Sequence, residues 1–141
     1  MRTAERRSSA QRCSVLVAYD GSPEAQRALE HAAGVTEPGA QLTIINVIPV
    51  QAVSSRLETI SYERRERQER LLRGAQRELA RHGITACVVE AAGDPLTEIL
   101  ATAEEVEAST LVVGRRLGRH LHRSLGDRLM KRARCDVLVV H

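Results

Sequence analysis

The sequence predicts an α/β domain: a doubly wound, open parallel sheet of five strands with helices on both faces. Three observations lead there. Short β-branched apolar runs alternate with stretches of helical period, in the order β-α-β-α-β-α-β-α-β. The runs are nearly continuous in apolar residues rather than alternating, as strands covered on both faces are. The first run also stops at Asp20-Gly21-Ser22-Pro23, the punctuation of a strand that turns into a helix. Parallel neighbours need right-handed crossovers, and ligands of such sheets bind beyond the C-terminal strand ends, where the strand order switches.

Each element has its own warrant. Ser14 to Tyr19 is the opening strand, and Ser22 then serves as an N-cap with Pro23 at the first helical position. Ala25, Ala28, Leu29, Ala32 and Ala33 make that helix's apolar stripe, and Thr36 to Gly39 closes it. Leu42 to Ile48 is the second strand. A long helix is expected from about Ser54 to His82, ended by Gly83, with Leu57, Ile60, Leu71, Leu72, Ala75 and Leu79 on one stripe. Its turns over residues 61–70 are almost wholly polar, so they are expected to project into solvent with weak Glu–Arg pairs along them. Ile84 to Glu90 is the third strand, and Gly93-Asp94-Pro95 starts a helix with Leu96, Ile99, Leu100, Ala103 and Val106 inward. Thr110 to Gly114, a helix from Leu125 to about Arg134, and Val137 to Val140 complete the order. The strand ends to search for a ligand are therefore residues 18–22, 46–50, 91–95 and 114–127.

At 141 residues, with 43% apolar and 28% charged, the chain is the size and composition of one soluble globular domain. No apolar run approaches the eighteen or so residues of a membrane span. Residues 1–12 are read as a flexible basic tail without the apolar stretch of a signal peptide, and 13–141 as the domain. The net charge of +3 hides a partition. The tail holds four arginines against Glu5; residues 13–114 hold nine arginines against fifteen acids; residues 115–136 hold seven arginines and Lys131 against Asp127 and Asp136. One local anion site fits this better than a uniformly basic nucleic-acid surface. With twenty arginines to one lysine, base composition of the gene explains the arginines as readily as phosphate chemistry does. Tyr19 and Tyr62 are the only aromatic residues, which excludes stacking platforms for single-stranded nucleic acid. Cys13, Cys87 and Cys135 lie far apart beside apolar runs and read as reduced core thiols.

The stretch from Gly114 to Ser124, Gly-Arg-Arg-Leu-Gly-Arg-His-Leu-His-Arg-Ser, is the most informative. A glycine directly after a strand lets backbone amides approach a phosphate. Ser124 before Leu125 caps a helix start, whose free N–H groups and positive dipole end attract anions. Arg115, Arg116, Arg119, His120, His122 and Arg123 add charge. The same residues read equally well as a solvated loop in which Ser124 only caps. Asp20 either accepts from ribose hydroxyls, or helps hold a divalent cation, or serves the turn alone. His120 and His122 have the spacing of a pair on one strand face, but no Cys or carboxylate lies close by, so no metal site is expected. No P-loop, Gly-x-Gly-x-x-Gly or nucleophile elbow occurs, and no nucleophile–base pair can be named, so no catalytic residue is assigned.

From about Ser14 to Val140 the chain resembles the universal stress proteins. The resemblance rests on Val15-Leu-Val-Ala-Tyr-Asp-Gly-Ser22, on Ala28-Leu29 with Ala32, and on Ile45-Asn-Val-Ile-Pro49. It is completed by Gly93-Asp-Pro95, by Leu111-Val-Val-Gly114, and by Ala133-Arg-Cys-Asp-Val-Leu-Val-Val140. It implies an adenine-nucleotide-alpha-hydrolase-like fold and a cytoplasmic protein of the stress response. It further implies a homodimer paired through the last strand, Val137–Val140, which would protect an apolar edge. Base and ribose are then expected at Ala18, Tyr19, Asp20 and Val47, and phosphates at Gly114, Arg115, Arg116, Gly118, Arg123, Ser124 and Leu125. ATP or another adenine nucleotide, with magnesium, is the implied ligand.

The phosphate loop departs from the family's ATP-binding pattern of Gly, two residues, Gly, nine residues, then Gly-Ser or Gly-Thr. Gly114 matches the first glycine, but Leu117 stands at the second and Gly118 is one place late; Arg123 replaces the glycine before Ser124. The loop is about four residues shorter and looks closer to the subgroup that does not bind ATP. The expectation is a regulatory or protective dimeric module with a degenerate adenine-nucleotide pocket. Its rivals are an ATP-binding stress protein with slow ATPase activity, and an interaction module docking an acidic partner or RNA through its basic 115–134 surface.

Overall fold

A computed structural model describes residues 14–50, 52–53, 56–57, 60–115 and 125–141. Its elements are β1 (Ser14–Ala18), α1 (Pro23–Val35), β2 (Gln41–Pro49), β3 (Ala52–Val53), β4 (Arg56–Leu57) and α2 (Tyr62–Ala80). These are followed by β5 (Ala86–Gly93), α3 (Pro95–Glu105), β6 (Thr110–Gly114), α4 (Leu125–Arg132) and β7 (Asp136–Val140). Five strands form one parallel sheet in the order β5-β2-β1-β6-β7. The chain starts at the centre, winds outward through β2 and β5, then returns to the other side of β1. That reversal is the switch in strand order the sequence predicts.

Successive side chains of a strand face opposite sides, and here both sides are covered. Val15, Val17, Leu42, Ile44 and Val112 pack with Ala28, Leu29, Leu72, Ala75 and Leu79 of α1 and α2. Leu16, Ile45, Leu111 and Val113 pack with Leu96, Ile99, Ala103 and Leu129 of α3 and α4. This explains the continuous apolar runs of β1, β2 and β6. The edge strand β5 is covered less, and Cys87 on it is exposed. The expectation of a core thiol therefore fails at Cys87, because an edge strand has no neighbour to close its outer side. Cys135 is half-buried, and burial raises its thiol pKa above the ordinary value. Among the described residues no helix is long and apolar enough to cross a membrane.

The helix ends follow local chemistry. Ser22 caps α1, its Oγ accepting from Ala25 N–H at 3.1 Å, and Pro23 follows as expected. Asp94 caps α3 before Pro95, accepting from Thr97 N–H at 3.0 Å and from the Thr97 hydroxyl at 2.8 Å. The long helix does not begin near Ser54. Residues 56–57 pair antiparallel with 52–53, and α2 starts after Ser61, whose Oγ takes the Arg64 N–H at 3.1 Å. Leu57 and Ile60 stand three apart, a spacing too short to fix a helical period on its own. A serine that can cap then decides the start.

At the other end, Ile84 N–H donates to the Leu79 carbonyl and Gly83 N–H to Ala80. Gly83 has φ +78°. This is the left-handed turn that closes helices, and only glycine adopts it without strain. Ile84 is spent on that closure, so β5 starts at Ala86 rather than at Ile84 and runs on to Gly93 opposite Pro49.

Candidate functional site

The C-terminal strand ends surround a cleft of about 560 Å³. Its floor is apolar, with Ala18, Ile45, Val47, Ile99 and Val113. Three helices begin at its border: α1 contributes Ser22 and Ala25, α3 contributes Pro95, and α4 contributes Leu125 and Gly126. The starts of α1 and α4 carry partial positive charge, while at α3 the Asp94 carboxylate that caps the helix offsets it. Arg64 and Arg67 of α2 add full charges, while Asp20 is the carboxylate lining the cleft among the described residues. An apolar floor under a positive rim accepts a ligand with a flat apolar body and an anionic end.

The strand ends differ in length, and this creates the recess. β1 stops at Ala18, opposite Ile45, whereas β2 continues to Pro49 alongside β5. Tyr19 N–H donates to the Ile45 carbonyl at 2.9 Å. Backbone groups alternate sides along a strand, so Val47 has the same orientation as Ile45 but lies past the end of β1. Its N–H and carbonyl thus face the cleft.

Tyr19 and Asp20 sit where the sequence predicts. The Tyr19 hydroxyl donates to Gln26 Oε1 at 2.9 Å. Burial, then the Asp20 and Glu78 carboxylates, raise its pKa, so the phenol stays protonated. Asp20 Oδ1 accepts from Ser22 N–H at 2.9 Å, which fixes the carboxylate at the mouth of the cleft and confirms its turn chemistry.

Gly114 lines the cleft, yet the structure gives its glycine a different reason. A Cβ there would stand 2.5 Å from the carbonyl carbon and oxygen of Glu24 and 2.8 Å from Ala25 N. The first turn of α1 packs directly on the end of β6, and only glycine permits it. Arg115 does not line the cleft; its N–H continues the ladder to the Val140 carbonyl at 2.7 Å. Leu125 lines it. Arg116, Gly118, Arg123 and Ser124, with Arg119, His120 and His122, lie outside the described residues. Among the described residues no group of three His, Cys, Asp or Glu side chains is placed to hold a metal.

The largest omission of the sequence reading is α2. Its polar turns do not all project into solvent: Arg64, Arg67, Gln68 and Leu71 line the cleft. Arg64 Nη2 donates to the Pro49 carbonyl at 3.0 Å. Gln68 is buried, and its Nε2 meets the carbonyls of Asn46 and Ala91, both at 2.9 Å, and Asn46 Oδ1 at 3.0 Å. Asn46 Nδ2 in turn donates to the Tyr19 carbonyl at 2.8 Å. This network joins α2 to the ends of β5, β2 and β1. The one sequence signal was spacing: Gln68 lies four residues before Leu72 and so extends the inward stripe of Leu72, Ala75 and Leu79.

Comparison with known proteins agrees with this architecture. Residues 13–141 match the model of the universal stress protein family. A universal stress protein of Bacillus subtilis, YxiE, is 29% identical over 143 aligned positions, covering 89% of this chain and 97% of the relative. A universal stress protein solved in complex with cAMP superposes with a TM-score of 0.74 at 25% identity, covering 92% of this chain and 97% of the other. The structure of a universal stress protein from Archaeoglobus fulgidus gives a TM-score of 0.75 at 21% identity, over 92% and 98% of the two chains. With a family match over nearly its whole length and an adenine-nucleotide-alpha-hydrolase-like sheet, the chain belongs to the universal stress protein family.

Proposed function

We propose that this protein is a regulatory module of the cytoplasmic stress response that binds an adenine nucleotide in the cleft and works as a homodimer. The observation that carries the reading is the convergence of three helix N-termini and two guanidinium groups on an apolar recess at the switch in strand order. The ligand in the similar protein solved with cAMP is itself an adenine nucleotide, which supports the same class here.

In this reading the base lies on Val47 and the apolar floor, where the free edge of β2 offers one N–H and one carbonyl. Asp20 accepts from the ribose hydroxyls and is the carboxylate closest to hand for a magnesium ion carried on phosphates. The phosphate end meets the N-termini of α1 and α4. The shortened, glycine-poor loop after Gly114 gives a triphosphate less backbone to rest on. Mono- and cyclic phosphates therefore bind about as well as ATP.

The homodimer is proposed through β7. It is an edge strand, and Val137, Leu138 and Val139 are only half-buried in the single chain. Light scattering of the purified protein tests this part: a dimer mass is expected, and a monomer overturns it.

The nucleotide part is tested by calorimetry with ATP and magnesium, AMP and cAMP. The protein is first unfolded and refolded to strip carried-over nucleotide. Micromolar binding of at least one is expected, weakened about tenfold in Asp20→Ala, the effect of one charge-assisted hydrogen bond. Absence of heat with all three up to millimolar concentration, at two temperatures, overturns the reading.

A further inference from the structure

Gln68 lies 6% exposed on the wall of the cleft. Its Nε2 carries two hydrogens and faces three acceptors at 2.9–3.0 Å: the carbonyls of Asn46 and Ala91, and Asn46 Oδ1. The orientation of Asn46 is itself set, because its Nδ2 donates to the Tyr19 carbonyl. Turning the Gln68 amide over would place its oxygen against three oxygens. The amide is therefore locked, and Oε1 is fixed as an acceptor directed away from those carbonyls. No described residue donates a hydrogen bond to it.

The position of this amide matters as much as its orientation. The Asn46 carbonyl that Nε2 bonds belongs to the same peptide unit as the Val47 N–H. Gln68 thus stands beside the one stretch of strand edge that faces the cleft. A ligand that fills the cleft excludes solvent from Oε1, and a buried acceptor without a donor is costly.

We propose that Gln68 is a specificity-determining residue, its Oε1 accepting from the exocyclic 6-amine of a purine base that lies against Val47. The inference rests on the adenine-nucleotide reading of the cleft and narrows it. Adenine presents an amine at position 6 and an acceptor at N1. Hypoxanthine presents a carbonyl and an N–H at those places, so it would set oxygen against oxygen at Gln68. The site discriminates through the pairing of one buried acceptor, the kind of group that rejects a mismatched analogue strongly.

The test is calorimetric titration of the nucleotide-free protein with AMP, IMP and the N6,N6-dimethyl derivative of AMP, repeated on Gln68→Leu. The wild-type protein is expected to bind AMP about tenfold more tightly than either analogue, and Gln68→Leu to lower the preference for AMP over IMP at least about threefold, the remainder resting on the Val47 N–H and carbonyl. Equal affinity of the wild-type protein for AMP and IMP overturns the inference while leaving the adenine reading intact. So does full retention of the preference in folded Gln68→Leu. The dimethyl analogue needs no variant: binding as tight as that of AMP also overturns it. Failure to bind any of the three overturns the inference, and the reading beneath it falls as well if ATP with magnesium and cAMP also give no heat.

Discussion

Two borders of the cleft are built in opposite ways. Along β1, β6 and α1 the chain is held by backbone against backbone: Gly114 brings the end of β6 onto the first turn of α1, and Tyr19 N–H and Arg115 N–H extend the strand ladders. Along α2 the border hangs on side chains, through Gln68 on three acceptors, Arg64 on the Pro49 carbonyl, and Leu71. The first border sets the position of the strand ends and tolerates little change. The second rests on a few side chains, so substitutions there reshape the wall of the cleft without moving the strand ends.

The difference is sharpest at Gly114. Gly114→Ala forces a Cβ to within 2.5 Å of the Glu24 backbone, which no rotamer change relieves. Destabilisation of about 3 kcal/mol is expected from such overpacking, read as a lower midpoint in urea unfolding. A loss under ~0.5 kcal/mol would mean that α1 slides freely and that the rigid border is not rigid.

A smaller effect belongs to Asp94, the N-cap of α3 at the same end of the sheet. Asp94→Ala should cost about 1 kcal/mol at neutral pH. The hydrogen bonds from the Thr97 hydroxyl and N–H hold the carboxyl below its ordinary value of 3.8, with Arg128 and Arg132 assisting more weakly. A lowered folded pKa means stabilisation that is complete above the unfolded value and is lost as pH falls through the folded one. The gap between wild type and Asp94→Ala should therefore narrow on acidification below about pH 4. Parallel unfolding curves across that range would show that the cap contributes nothing through its charge.

The smallest effect marks the outer face of α2. Arg73 Nη2 and Glu69 Oε2 are 3.2 Å apart, and both side chains are more than half exposed. A double-mutant cycle should give a coupling of about 0.3 kcal/mol that fades toward zero in ~1 M salt. A coupling above ~1 kcal/mol would mean that this face, and not only the inner one, supports the cleft border.

Most of the fold was legible because its signals are local. Ser22-Pro23 and Asp94-Pro95 mark helix starts by their own chemistry, and continuous apolar runs such as Leu111-Val-Val113 report burial on two faces at once. The start of α2 was misplaced because Leu57 and Ile60 offer too little periodicity to separate a helix from a short ribbon. On the cleft wall, the places of Ala18, Tyr19, Asp20 and Val47 were legible from the family resemblance, which put them at the ends of the first and second strands. Gln68 was not, because a glutamine among Arg and Glu residues reads as a solvated turn until something is packed on it.

By itself, then, the sequence determined the order of the five main strands and their crossover helices along the chain, the parallel sheet, the helix starts at Ser22 and Asp94, and the end of the sheet to search for a cleft. Each of these follows from residues near one another in the chain or from a strict period. The tertiary structure alone decided that Gly114 is needed for helix packing, that β2 outruns β1 to expose Val47, and that Gln68 is locked beside it. Those three depend on groups far apart in sequence meeting at hydrogen-bond or contact distance, and neither periodicity nor composition carries a record of such meetings.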